Sequence, residues 1–308
     1  MSDWPQIAVV GAGAVGGYFG AVMSHAGAPV KFIARKAFVD AVDANGLVLD
    51  SKGVRERVRV ETATDMSAVR GASFVLLSVK TTDTVSAAKE LDQFLDPAAT
   101  VVCLQNGVDN VERIREATKI SAVPAAVYIA VSVPEPGQVK HLARGDLVIG
   151  PPSEQTEYLQ NIFTRAGIPC RITENIEGEL WIKMLCNCAL NAISALGNAR
   201  YGQIAENSDG WQLMGRVVEE VLAVARAAHV ELPNIVDTDA GMAATMQIAT
   251  QMTGAFSSTA QDLQRGRLTE IDSLNGYIAR RGAELGVNVP INHALFTLVK
   301  LAEQNLAP

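Results

Sequence analysis

Four apolar residues, Ile7-Ala-Val-Val10, run without a break into Gly11-Ala-Gly13-Ala-Val-Gly16-Gly17, and a helical pattern over residues 14–26 stops at Gly27. Few folds accept three glycines at that spacing between a buried strand and a helix. Gly11 permits the tight turn, Gly13 lets a ligand approach the backbone, and Gly16 lets helix and strand pack closely. The helix start adds free amide donors and partial positive charge, which suits a phosphate. The spacing therefore predicts an α/β Rossmann-type domain that holds a dinucleotide along Gly11, Ala12, Gly13, Ala14, Val15 and Gly16.

A second strand over residues 30–34 ends at Arg35-Lys36, with no acid before Asp40. Two cations at that point suit the 2′-phosphate of NADP, and an arginine can pair with it and stack on adenine. A solvated pair of surface cations is the plainer alternative. Further strands are expected over residues 47–49, 55–60, 73–79, 100–104 and 122–131, with helices between several of them. The strand over 73–79 runs into Lys80, and the one over 100–104 runs into Gln105-Asn106-Gly107. Ligands of open α/β sheets sit beyond the carboxyl ends of the strands, which places Lys80 and Asn106 to meet cofactor or substrate. An ordinary turn at Asn106-Gly107 and a solvated Lys80 are the plainer readings.

From Glu174 onward the alternation gives way to helical periodicity, so the expected division is a dinucleotide domain over 1–173 and an all-α domain over 174–308. Helices are predicted over residues 175–196, 209–229, 237–253, 257–264, 270–285 and 291–303. No Ser/Gly linker separates the halves, which implies a tight boundary and a cleft there. In the first helix Glu179, Lys183, Asn187 and Asn191 recur every fourth position through an apolar run, forming one polar stripe. Burying an ammonium and amides costs several kcal/mol unless partners satisfy them. The stripe is either a structural network, with Glu179 serving Lys183, or a ligand-facing surface with a lysine tuned for acid–base chemistry. Thr269 is a candidate cap, and Glu270 and Asp272 suit the start of the helix that follows.

The remaining composition narrows the class. Hydrophobic residues make up 48% and charged residues 19%, with a net charge of −7 and no basic excess to neutralise nucleic acid phosphates. No apolar run approaches the roughly 20 residues of a membrane span, and no signal-like segment precedes the first strand. A cytoplasmic protein is expected. Cys103, Cys170, Cys186 and Cys188 complete no zinc pattern and read as free thiols, so no metal is expected. The apolar faces of the helical half allow a homodimer through it.

Taken together, the motifs resemble the ketopantoate reductase (2-dehydropantoate 2-reductase) family over nearly the whole chain. The resemblance rests on Gly11-Ala-Gly13-Ala-Val-Gly16, Val79-Lys80, Gln105-Asn106-Gly107, Glu179-Leu-Trp-Ile-Lys183 with Asn187 and Asn191, and Gly266-Arg267-Leu-Thr269-Glu270-Ile-Asp272. It implies NADPH-dependent reduction of a 2-oxo acid, with Lys183 as general acid and Glu270 bonded to the substrate's distal hydroxyl. It places Asn106 and Lys80 at the nicotinamide and ribose side and Arg35 at the 2′-phosphate. Asn106, Lys183, Asn187, Asn191 and Ser258 would bind the substrate. Two positions depart from the pattern: Ala255 and Tyr201, the latter in the loop after the stripe helix, stand where substrate-side asparagines are expected. Those departures leave room for a paralogue acting on another 2-oxo or hydroxy acid. A β-hydroxyacid dehydrogenase or pyrroline-carboxylate reductase fits the stripe less well, and a non-catalytic NADP-binding regulator has little need of Lys183 and Glu270 together.

Overall fold

The computed structural model describes residues 4–51 and 53–306. These divide into two compact units: residues up to Gln105 with Asp109–Ile176, and Asn106–Val108 with the residues from Glu177 onward.

In the first unit, β1 (Ile7–Val10), β2 (Val30–Ile33), β5 (Glu61–Ala63), β6 (Phe74–Leu77), β7 (Thr100–Cys103) and the start of β8 (Ala122–Ser132) pair in parallel. The path β4-β3-β9-β8-β7-β6-β1-β2-β5 adds β3 (Leu47–Ser51), β4 (Val54–Val58) and β9 (Gln138–Ile149), and β10 (Cys170–Ile172) pairs with β9. Strands buried on both faces, such as β1 and β6, read as unbroken apolar runs because helices cover each side. Those helices are α1 (Ala14–His25), α2 (Lys36–Asn45), α3 (Thr84–Leu91), α4 (Asn110–Ala117) and α5 (Glu154–Arg165). β1 lies between β2 and β6, so the strand order reverses beside it. Open α/β sheets bind their ligands at such a switch point. β9 lies beyond the strands expected from the sequence. Lys140, Leu142 and Arg144 are exposed, and register shifts opposite Tyr128/Ile129 and Ala130/Val131 break the alternation a strand prediction relies on.

The second unit contains α6 (Ile176–Gly197), α7 (Tyr201–Glu206), α8 (Ser208–Ala227), α9 (Thr238–Gln251), α10 (Ser258–Gln264), α11 (Asn275–Leu285) and α12 (Pro290–Gln304). α6 is its central element. Trp181, Met184, Leu185 and Leu190 are buried in one cluster with Val217, Val218 and Val221 of α8, Ile278 and Val299. Fully burying side chains of this size contributes about 1.5–3 kcal/mol each. By length and mean hydropathy (1.3) α6, alone among the described residues, is apolar enough to cross a membrane, which qualifies the expectation drawn from its sequence, yet 56% of that stretch is buried within the protein, as in a core helix.

Three expectations need correction. Residues 270–285 are not one helix: a 3₁₀ turn, Ile271–Ser273, precedes α11, and Leu274 at φ −114°, ψ −109° breaks the run. Tyr201 lies not in a loop but at the start of α7, where the Gln203 side chain accepts from the Arg200 amide. α8 stops at Ala227, two residues short of the prediction, because His229 takes a left-handed φ of 58°.

Candidate active site

The carboxyl end of β1 is shaped by steric exclusion. A Cβ on Gly16 would stand 2.1 Å from Ser78 Oγ and 2.3 Å from the Gly11 carbonyl. Ser78 Oγ donates to that carbonyl at 2.7 Å, tying the glycine turn to the end of β6. Gly11 itself takes φ +96° against the Val79 amide. Gly13 is different: a Cβ there would meet nothing within 4 Å. It is the N-cap of α1 without a side-chain bond to the first-turn amides, and that turn carries no acid. The result is an open surface of free amides, chemically suited to a pyrophosphate. Ala12, Ala14 and Val15 complete the turn around it.

Arg35 caps α2 at the end of β2, highly exposed, its Nη2 3.3 Å from Asp83 Oδ2. Lys80, the first residue of the turn after β6, is half-buried. In the same unit a buried network holds the end of β7. Gln105 Nε2 donates to Thr84 Oγ1 at 2.6 Å and to the Val79 carbonyl at 3.1 Å, and Thr84 donates to Asn110 Oδ1 at 2.9 Å.

Asn106 packs with the helical unit, and Gly107 after it takes φ +96°, a backbone turn that favours glycine. The Asn106 amide is read from both ends. Lys183 Nζ donates to its Oδ1 at 2.9 Å, and its Nδ2 donates to Glu270 Oε2 at 2.9 Å. An ammonium has only donors and a carboxylate only acceptors, so the reverse amide orientation would oppose like dipoles at both ends.

Further along the stripe, Asn187 is half-buried and makes no side-chain hydrogen bond among the described residues. Asn191 is buried, and its Oδ1 accepts from the Tyr201 hydroxyl at 3.1 Å. Burial, with Cys186 nearby, pushes the Tyr201 phenol well above its usual value, so it remains a neutral donor. Asn191 Nδ2 points to Ser258 Oγ at 3.5 Å, at the limit of hydrogen bonding. Ser257 sets that geometry: its Oγ caps α10 by accepting from Ala260 N and donates to the Asn191 carbonyl, each at 3.0 Å. Lys183, Asn106 and Glu270 thus form one cluster and Asn187, Asn191, Tyr201 and Ser258 its continuation along α6. All four cysteines are free thiols, and burial pushes Cys170 up to about 12.

Sequence reasoning missed the partner of Thr269, the residue before Glu270. Thr269 was read as a helix cap, and its Oγ1 does accept from Ile271 N at 3.1 Å. Its amide and hydroxyl also bond Glu303, 34 residues away, a partnership with no local signature.

The arrangement offers a proton donor beside a carboxylate-anchored amide in one unit, and a dinucleotide-shaped edge in the other. The family description for ketopantoate reductase PanE/ApbA matches residues 7–154, and that for its C-terminal part matches residues 175–303. The chain belongs to the ketopantoate reductase PanE/ApbA family. As a member of this dinucleotide-dependent family it is an oxidoreductase acting on a CH–OH group. A 2-dehydropantoate 2-reductase from Pyrococcus horikoshii is 30% identical over 305 residues, 97% of each chain. The crystal structure of a PanE/ApbA family ketopantoate reductase from Ralstonia eutropha JMP134 is 43% identical, with a TM-score of 0.91 over 98% of this chain and 99% of that one. A D-mandelate dehydrogenase, solved with NADH and anilino(oxo)acetate, shares the fold at 24% identity, with a TM-score of 0.90 over 98% of this chain and 99% of that one.

Proposed function

We propose that the chain reduces a 2-oxo acid to the 2-hydroxy acid with NADPH, most simply 2-dehydropantoate to (R)-pantoate in pantothenate biosynthesis. The observation that carries this reading is the Lys183–Asn106–Glu270 chain, a proton donor held in register by a bridging amide. Residues 1–173 take the role of nucleotide domain and 174–308 that of substrate and catalytic domain.

The glycine edge fits a dinucleotide: open space at Gly13, free amides at the start of α1, and no acid to oppose a phosphate. Gly11 to Gly16 would hold the pyrophosphate, Arg35 the 2′-phosphate, and Lys80 and Asn106 the nicotinamide-ribose portion. When bound, the reduced nicotinamide supplies the hydride. As the carbonyl carbon is reduced its oxygen gains negative charge, and the Lys183 ammonium stabilises that charge and delivers the proton. Asn106 keeps Nζ in place while Glu270 keeps Asn106 in place. Asn187 has unspent donor and acceptor groups for the substrate, and Ser258 offers an exposed hydroxyl beside the Asn191 amide nitrogen.

A second reading keeps this chemistry and changes the acid. Tyr201 spends its hydroxyl on Asn191, and Ala255, whose carbonyl accepts from the Tyr201 amide at 3.0 Å, brings no polar side chain. A site short of donors discriminates weakly in favour of a hydroxylated tail. The test is oxidation of NADPH, with NADH in parallel, against 2-dehydropantoate and a panel of branched and aromatic 2-oxo acids. Preference for 2-dehydropantoate supports the first reading and preference for an apolar acid the second. Binding of NADPH without turnover on any of them would overturn both.

A further inference from the structure

We propose that Glu303 is a positioning residue for Glu270, acting through Thr269; the inference rests on the functional reading above. Glu303 lies in the last turn of α12, where a carboxylate opposes the helix dipole, so helix stability does not account for it. Its Oε1 accepts from the Thr269 amide at 2.7 Å and from the Thr269 hydroxyl at 2.6 Å. Its Oε2 lies 2.7 Å from Lys300 Nζ, which also reaches Asp272 Oδ2 at 2.9 Å.

Glu270 lies between these two anchors, next to the first. On one side Thr269, 1% exposed, is held by Glu303; on the other Asp272 is held by Lys300, and its carbonyl accepts from Arg280 Nη2 at 2.7 Å. Ser273 N donates to the Glu270 carbonyl at 2.9 Å, closing the turn. α12 thereby fixes the backbone on both sides of a carboxylate that must meet Asn106 Nδ2. A buried carboxylate is costly unless its oxygens are satisfied, and here each oxygen faces a donor or a cation belonging to this brace. Loosening the brace shifts Glu270, and with it the amide of Asn106 that accepts from Lys183.

The test is steady-state kinetics and dinucleotide affinity on the full chain for Glu303→Ala, Glu303→Gln, Thr269→Val and Thr269→Ser, with Leu295→Ala as control. Leu295 is a buried core residue of the same helix, so its variant reports loss of stability alone. Small displacements of catalytic groups cost up to about a hundredfold, so Glu303→Ala and Thr269→Val are expected to lower kcat/KM for the 2-oxo acid by about tenfold or more. NADPH affinity stays unchanged. Glu303→Gln and Thr269→Ser, which keep the acceptor and the hydroxyl, recover most of the loss. Leu295→Ala melts earlier but keeps kcat/KM. Residues that act in series are not additive, so adding Glu303→Ala to a Glu270→Ala enzyme is expected to cost less than about twofold more.

Losses that multiply in that double variant, or that match those of Leu295→Ala at equal melting shift, would overturn the inference. An impaired Glu270→Ala beside an unimpaired Glu303→Ala overturns this inference alone. An unimpaired Glu270→Ala overturns the functional reading and this inference with it.

Discussion

Lys183 Nζ donates to Asn106 Oδ1 across 2.9 Å, so the helix stripe and the segment following β7 share one hydrogen bond. At the other end of the same amide, Asn106 Nδ2 donates to Glu270 Oε2 at 2.9 Å.

Asn106 is therefore expected to be sensitive to its chemistry rather than its size. Asn106→Asp keeps the acceptor for Lys183 but sets a carboxylate against Glu270. Turnover is expected to fall by roughly tenfold or more, given what misplaced catalytic groups cost, while NADPH binding weakens less. Steady-state kinetics of the aspartate and alanine variants, with a direct binding measurement, check this.

Two glycines one helical turn apart are expected to separate folding from binding. Gly16→Ala drives a methyl into Ser78 Oγ and the Gly11 carbonyl, so its melting temperature falls sharply. Gly13→Ala meets no atom and costs about 1 kcal/mol or less as a changed N-cap. Its fold survives, but the methyl occupies the open surface proposed for the pyrophosphate, and dinucleotide affinity falls. Thermal melts and dinucleotide titration of both variants decide it.

Arg35 is expected to set the choice of dinucleotide. Its exposed contact with Asp83 is worth at most about 1 kcal/mol, too little to withhold it from a 2′-phosphate. Arg35→Ala should raise KM for NADPH by about tenfold, the loss of one charge-assisted contact, and leave KM for NADH unchanged. Raising the salt concentration should shrink the difference between the wild-type and variant enzymes.

The α12 brace makes stability depend on pH. Burial alone would raise the Glu303 carboxyl, but hydrogen bonds from Lys300 and from the hydroxyl and amide of Thr269 outweigh it and hold the group below its ordinary 4.5. Its contribution is thus present above that value and lost as pH falls through the lower, folded one. Lys300 shows the opposite sign. Burial would lower it, yet hydrogen bonds to Glu303 and Asp272 raise it above 10.5, so its contribution is lost only as pH rises beyond that. The melting difference between wild type and Glu303→Gln should be flat near neutrality and narrow below the ordinary glutamate range.

Local pattern makes part of this protein legible in its sequence alone. The glycine turn and β1 are written in adjacent residues, and the α6 stripe appears at fixed helical spacing. β9 escaped because its bulges and outward charges erase the strand period. The partition of residues 270–285 escaped because Thr269 and Glu303 meet only in the folded chain. The stripe said that Lys183 requires partners but not which ones. Asn106 and Glu270, 77 and 87 positions away along the chain, were placed near it by resemblance and joined to it only by geometry.

The most direct test is single-turnover reduction by Lys183→Ala with NADPH and the best 2-oxo acid, alongside NADPH affinity. General acids contribute roughly 10²–10⁴-fold, so the rate of hydride transfer is expected to fall by that order with NADPH affinity unchanged. A Lys183→Ala enzyme that binds NADPH and reduces the acid at the wild-type rate would contradict the account.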